Sequence, residues 1–377
     1  MEFVCNSCDH HHRGADAPWR CPRCGGAFDL RLEVDLRRQA IETGPPNLWR
    51  YAGALPPVPP EARVSLGEPV TPLVESTWAG VPVRFKLDYL FPTGSYKDRG
   101  NAVFVSVLRA AGVSAVVEDS SGNAGASLAA YCARAGIRCT IYAPADTSPA
   151  KLVQIRAYGA EVVAVPGSRA ETARAVQVAA ERTYYASHNW NPIFLHAMKT
   201  LAFEMCEQLG WRAPAAVVMP CGYGSVVLGA YLGFQDLVSA GLIDRLPRLV
   251  AVQAAACAPL YAAYRAEGRA PACSGHTLAE GIACAEPVRP ERILEAIRAS
   301  GGEVIAVSED EILDGLRALA AQGLYVEPTS AVVAAAMSRL AGEGRLEPGT
   351  VAVLTGSGLK ATEKLVRVLT TGTQVRF

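Results

Sequence analysis

A chain of 377 residues, half of them apolar, with 36 basic side chains balanced by 36 acidic ones, is long enough for two packed domains. Zero net charge removes the long-range field expected of a nucleic-acid binder or a membrane-surface protein. No run approaches the ~18 apolar residues of a spanning helix, and the opening "MEFVCNSCDHHHR" has the character of neither a signal nor a transit peptide. The expectation is a cytoplasmic protein with small-molecule partners and no nucleic-acid or membrane partner.

The first element is a cysteine framework. Cys5, Cys8, Cys21 and Cys24 form C-x2-C-x12-C-x2-C, and Gly25-Gly26 permits a tight turn after the last of them. Two such hairpins converge four thiolates on a tetrahedral zinc, and a closed four-sulfur shell makes that zinc structural rather than catalytic. Cys132, Cys139, Cys206, Cys221, Cys257, Cys273 and Cys284 are scattered and read as free thiols in a reducing compartment. Residues 31–66, with a short charged helix and dense proline, read as an arm over a larger body.

From about residue 82, short β-branched runs alternate with alanine-rich helical stretches. "AVVEDSS" (115–121) precedes a helix at 124–136, "CTIYA" (139–143) one at 149–158, and "EVVAV" (161–165) one at 168–183. "AAVVMP" (215–220) leads into a helix from 225, "LVAVQ" (249–253) into one from 259, "EVIAV" (303–307) into 309–321, and "TVAVLTG" (350–356) into 358–369. Near-continuous apolar strands separated by helices predict a parallel sheet covered on both faces, and Ser308 with Glu311 forms a capping box at one strand-to-helix step.

In such folds ligands bind beyond the carboxyl ends of the strands. "DSSGNAGAS" (119–127) offers uncapped backbone N–H groups for a carboxylate, "PCGYGSVVLG" (220–229) a glycine turn for a phosphate, and "LTGSGLK" (354–360) a hydroxyl at a strand end. With Lys97 of "FPTGSYKDRG", these parts fit imine-linked pyridoxal 5'-phosphate.

The chain resembles the fold-type II pyridoxal-phosphate enzymes, and among them the threonine synthase family. The resemblance is carried, in order, by "SLGEPVTPL" (65–73), "PTGSYKDRG" (92–100), "SSGNAGASLAAY" (120–131), "NPIFLHAMKT" (191–200), "CGYGSVVLG" (221–229), "VEPTSA" (326–331) and "LTGSGLK" (354–360). It implies a two-domain parallel-sheet fold of the tryptophan synthase β-like type, with a zinc ribbon at 1–30, an arm at 31–66, a large cofactor domain at 67–100 and 194–377, and a smaller α/β domain at 101–193. A homodimer is expected.

By the same resemblance, Lys97 would carry the cofactor and act as the base at the α-carbon, where desolvation and nearby cations favour a neutral amine. Asn123 would bond the ring 3'-oxygen, and Ser121, Gly122 and Ala124 would hold the substrate carboxylate. Gly222, Tyr223, Gly224 and Ser225 would cradle the phosphate, and Thr355 would face the pyridine nitrogen. A neutral hydroxyl there makes a weaker electron sink and favours elimination or replacement over transamination.

Substrate is where the pattern departs. Threonine synthases follow their Asn-Pro with an arginine and then Glu-Gly-Gln, in the region that grips the phosphate of O-phosphohomoserine; here Phe194 takes the arginine position, followed by His196, Ala197 and Met198. Loss of a bidentate guanidinium is not conservative. The expected activity is that of a threonine synthase-like carbon–oxygen lyase or synthase, which abstracts the α-proton and eliminates or replaces a β- or γ-leaving group on an amino acid, O-phosphohomoserine or another; the alternative is a serine/threonine dehydratase-type ammonia-lyase or a β-replacement synthase on a modified amino acid. His188 and His196 read as packing or capping residues, Cys221 as a small filler, Asp98 as a first-turn carboxylate and Arg99 as a surface or domain-packing cation.

Overall fold

A computed structural model describes residues 1–14, 17–265 and 276–370. Cys273 lies outside the described residues. In chain order, β1 (Glu2–Cys5), β2 (His11–His12) and β3 (Phe28–Arg31) form the ribbon, and α1 (Arg38–Glu42) begins the arm. The strands β4 (Leu73–Trp78) and β5 (Val81–Lys86) precede α2 (Lys97–Ala110). There follow β6 (Ala115–Glu118), α3 (Asn123–Ala135), β7 (Arg138–Pro144), α4 (Pro149–Ala157), β8 (Glu161–Val165), α5 (Arg169–Ala179), β9 (Tyr184–Tyr185), α6 (Pro192–Ala197) and α7 (Thr200–Gln208). The remainder is β10 (Ala216–Pro220), α8 (Ser225–Ser239), β11 (Arg248–Ala254), α9 (Pro259–Arg265), α10 (Pro290–Ala299), β12 (Glu303–Val307), α11 (Glu309–Ala321), α12 (Pro328–Gly342), β13 (Thr350–Val353) and α13 (Thr362–Thr370).

Two compact units result. The first joins Met1–Val70 to Lys97–Thr200, and the second joins Thr71–Tyr96 to the chain from Leu201 on. In the first unit, β8-β7-β6-β9 is a wholly parallel sheet, with Val117 paired to Thr140 on one side and Tyr185 on the other. The ribbon sheet, β2-β1-β3, is antiparallel. Trp19 of the ribbon sets its ring edge-on to Tyr185 at 4.9 Å and to Trp190 at 5.6 Å, so the ribbon is packed onto the unit it belongs to. The arm is likewise anchored: the buried Glu68 carboxylate accepts from the Tyr131 hydroxyl at 2.6 Å and from Ser65 Oγ at 2.7 Å.

The second unit holds the six-stranded sheet β12-β11-β10-β13-β5-β4, parallel except for the edge strand β4. Every residue of β10 and β13 is buried, as a parallel sheet covered on both faces requires. Beside it lies a polar core. Lys86 and Glu204 are both fully buried, with Nζ 2.8 Å from Oε2, and Nζ also donates to Thr71 O at 2.7 Å and Gln208 Oε1 at 2.9 Å.

The sequence reading carries the strand at 115–121 too far. β6 stops at Glu118, because its carboxylate accepts the backbone N–H of Ser120 and turns the chain. The strand read at 350–356 stops at Val353, and residues 358–369 divide into a 3-10 turn and α13. The capping box at Ser308 and Glu311 is present, and Ser168 with Glu171 forms a second. Cys132, Cys139, Cys206, Cys221 and Cys284 are free and buried; Cys257 is instead disulfide-bonded, a pairing that spacing alone did not reveal.

Candidate active site and metal centre

Lys97 is the first residue of α2 in the first unit. The next two residues are fully buried: Asp98 accepts from Ser127 Oγ at 2.6 Å, and Arg99 donates to Thr200 Oγ1 at 3.2 Å. Arg99 is therefore a packing cation, not a surface one. Gly100 is required because a Cβ there would enter the Phe194 ring. Phe194 itself is fully buried, with the Lys97 Nζ 5.6 Å from its ring centroid.

Asn123 opens α3, and no side chain caps this helix at Gly122. A helix start without a side-chain cap suits an acceptor such as a carboxylate. Gly125 is fixed by packing, since a Cβ would strike the Ser120 carbonyl. Ser121, Gly122 and Ala124 occupy the start of this helix and the loop before it.

The same loop begins with two carboxylates that sequence reading quoted but did not single out. Glu118 is 1% exposed, with Oε1 3.0 Å from His188 Nδ1. Burial pushes its pKa up to about 7, against the Ser120 N–H and the charges of Arg169 and Lys97. Burial, and then the Lys97 charge, hold His188 well below its ordinary range, so the contact is a hydrogen bond to neutral imidazole rather than an ion pair. Asp119, also raised by burial, accepts from the Tyr185 hydroxyl at 2.7 Å and Arg169 at 2.9 Å. His188 and Phe194 meet edge to face at 5.6 Å, so His188 and Lys97 flank one ring. The available signal was positional: paired acids at the carboxyl end of an apolar parallel strand.

In the second unit, Gly222 and Gly224 precede the 15-residue α8. Gly224 has φ +83°, and a Cβ on Gly222 would lie 2.9 Å from Ile282 Cα. Among the described residues no side chain caps α8, which leaves its N–H groups and dipole facing the turn. Tyr96, the residue before Lys97 in sequence, belongs to this unit: its N–H donates to Thr355 O at 2.9 Å, and its hydroxyl lies 3.4 Å from Ser225 Oγ. Thr355 is 2% exposed. Ser330 Oγ accepts from the N–H groups of Thr355 at 3.0 Å and Gly356 at 2.8 Å and lies 3.1 Å from Thr355 Oγ1, which sets that hydroxyl's orientation. Ser330 is a third residue whose role the sequence did not disclose. Cys221 is fully buried with its thiol pushed up to about 12 by burial, as a filler should be.

In the ribbon the sulfurs of Cys5, Cys8, Cys21 and Cys24 lie within 4.8 Å of one another. Cys5 and Cys24 are 3.4 Å apart and Cys8 and Cys21 3.8 Å. Four sulfurs about 2.3 Å from a tetrahedral zinc stand about 3.8 Å from one another, so the donor set fits that ion. The N–H groups of Ser7 and Gly26 point at Cys5 and Cys24 sulfurs at 3.4 Å, and Gly25 takes the turn at φ +74°.

The family model for pyridoxal-phosphate dependent enzymes matches residues 64–356. Threonine synthase of Methanocaldococcus jannaschii is 34% identical, over 91% of this chain and 89% of the relative. The chain belongs to the threonine synthase family of fold-type II pyridoxal-phosphate enzymes. Threonine synthase of Methanosarcina acetivorans is 30% identical over 97% of this chain and 93% of that one. A fungal L-serine ammonia-lyase from Rhizomucor miehei shares the fold, with a TM-score of 0.70, 19% identity and coverage of 81% of this chain and 99% of the other. The glycine turn that tolerates no Cβ, ahead of a helix without a side-chain cap, fits the phosphate of this family's cofactor. Among the described residues no helix is long and apolar enough to cross a membrane.

Proposed function

We propose that the protein is a lyase or synthase that takes the α-proton from an amino acid and expels a β- or γ-substituent through its oxygen, and that this substituent is not a phosphate ester. The reading is carried by Phe194, whose buried ring flanks Lys97 at the position where threonine synthases carry an arginine. A phenyl ring gives a phosphate dianion no partner, and Glu118 and Asp119 add acidic groups to the same cluster.

Bound pyridoxal phosphate would supply the electron sink for the α-carbon. Lys97 would hold it and act as the base. Asn123 would bond the ring 3'-oxygen, while Ser121, Gly122 and Ala124 would take the substrate carboxylate on the N–H groups at the start of α3. Gly222, Tyr223, Gly224 and Ser225 would take the phosphate at the start of α8. Thr355, set by Ser330, would face the ring nitrogen with a neutral hydroxyl, which favours elimination over transamination. Cys5, Cys8, Cys21 and Cys24 would hold a structural zinc, since four sulfurs leave no position for substrate.

The test is a visible-spectrum titration of the cofactor-loaded protein with O-phosphohomoserine, homoserine, serine, threonine and O-phosphoserine, with ammonia and phosphate release read in parallel. Turnover of a hydroxyamino acid without phosphate release from either ester is the expected result. Phosphate release from O-phosphohomoserine that leaves threonine would overturn the substrate reading.

A further inference from the structure

We propose that Glu118 and His188 form a buried proton relay beside Lys97, in which His188 protonates the departing substrate oxygen and Glu118 is the positioning residue that resupplies it. The inference rests on the lyase reading above and deepens it by naming the leaving group. A hydroxyl or alkoxyl oxygen departs only with a proton, whereas a phosphate or carboxylate departs without one.

The geometry supplies the parts. Glu118 ends β6, and its two oxygens have separate tasks: one accepts the Ser120 N–H of the loop that carries Ser121–Ala124, and the other lies 3.0 Å from His188 Nδ1. His188 touches the ring that Lys97 also touches. The charged and titratable groups around the pair are Lys97 at the start of α2, Arg169 of α5, Asp119 of the loop and Tyr185 of β9. Asp119 is already engaged by Arg169 and Tyr185, which leaves Glu118 to serve the imidazole.

The proton balance follows from that contact. With the Glu118 carboxyl protonated, its O–H donates to Nδ1, and Nε2 carries the imidazole proton. For an oxygen on the β-carbon, the Cα–H proton goes to Lys97 as that bond breaks, and its electrons form the Cα–Cβ double bond. The C–O electrons leave with the oxygen, which takes the Nε2 proton, while the Glu118 proton passes to Nδ1. Water or an alcohol departs, the pair is left as carboxylate against Nδ1–H, and solvent restores the missing proton.

Phe194 belongs to the same argument. A guanidinium in its place would hold Glu118 as a carboxylate and strip the relay of its proton, whereas a phenyl ring leaves the acid form in reach near neutrality. A purely structural pair would gain nothing from burying a carboxyl at a strand end, where an apolar pair packs at lower cost.

The first test needs no turnover. The chain has six histidines, so two-bond 15N–1H correlations of histidine-labelled protein, with His188 identified by its loss in His188→Gln, report which ring nitrogen carries hydrogen. The expected result is Nε2–H on the acid side of pH 7 and Nδ1–H on the alkaline side. A single tautomer throughout in the wild-type protein would overturn the relay, whatever the variants do. The second test compares serine with O-acetylserine. Glu118→Gln and His188→Gln should lose about 100-fold more kcat on the hydroxyl substrate than on the acetyl ester. Equal losses on both classes would mark a structural role and overturn the relay. Wild-type turnover of the acetyl esters alone would overturn the relay but not the lyase reading; no turnover of either class would overturn both.

Discussion

Exchange of Glu118 for glutamine isolates the cost of burying its carboxyl. In the fold this acid titrates at about 7, raised from 4.5 chiefly by burial. Between those values the native chain binds more protons than the unfolded one, so stability falls as pH rises through the window. At roughly 1.4 kcal/mol per pH unit, the loss is about 3 kcal/mol, complete above pH 7 and absent below 4.5. His188 works in the opposite sense: it is neutral in the fold, so protonation of the unfolded chain removes stability as pH falls below 6.5. The two slopes oppose one another in the wild-type protein, and the substitution separates them. Relative to wild type, Glu118→Gln should gain about 3 kcal/mol between pH 4.5 and the alkaline side of pH 7, read from urea unfolding at each pH. A stability difference that stays constant across that range, or a Glu118 carboxyl 13C signal that titrates near 4.5, would refute the reasoning.

Lys86→Met strands the buried Glu204 carboxylate without its 2.8 Å partner and should cost about 3–5 kcal/mol in urea unfolding, with most of it recovered in Lys86→Met/Glu204→Leu; a loss no greater than the ~1 kcal/mol of an exposed pair would contradict the burial. Gly224→Ala forces a side chain into φ +83° and against Ile293, so cofactor affinity should fall about tenfold or more, the equivalent of the ~1–2 kcal/mol such a conformation costs; unchanged binding in a cofactor titration would remove that turn from the phosphate site. Cys24→Ser should abolish bound zinc by metal analysis and shift tryptophan emission, because Trp19 of the ribbon stands edge-on to Tyr185 and Trp190; full zinc occupancy in that variant would exclude the four-sulfur shell.

What the sequence made legible was whatever depends on pattern. Apolar runs of four to seven residues between helices set β10, β11 and β13 of the second unit's sheet, because a strand covered on both faces has no polar side to show. The cysteine spacing set the ribbon, because two hairpins leave few ways to arrange four sulfurs. Strand ends were less legible. "AVVEDSS" has strand propensity through residue 117, but where it stops depends on Glu118 bonding the Ser120 N–H, a choice between local and ladder hydrogen bonds that propensity does not encode. The same limit hid the Glu118 and His188 pair. The two residues are 70 positions apart, and their partnership exists only because β9 pairs in parallel with β6 and brings the segment after Tyr185 back beside Glu118. A histidine read by itself is most simply a packing residue, and His188 is packed on Phe194; a glutamate at the end of an apolar strand is most simply solvated, and burial of Glu118 reverses that reading. Ser330 escaped for a related reason, since a serine within "VEPTSA" shows no sign that two N–H groups of the Thr355 loop converge on its oxygen. Phe194 was legible as a departure because the resemblance supplied the residue it replaced. Its surroundings were not, because His188, edge-on to the ring at 5.6 Å and 3.0 Å from Glu118, reaches it only through the fold.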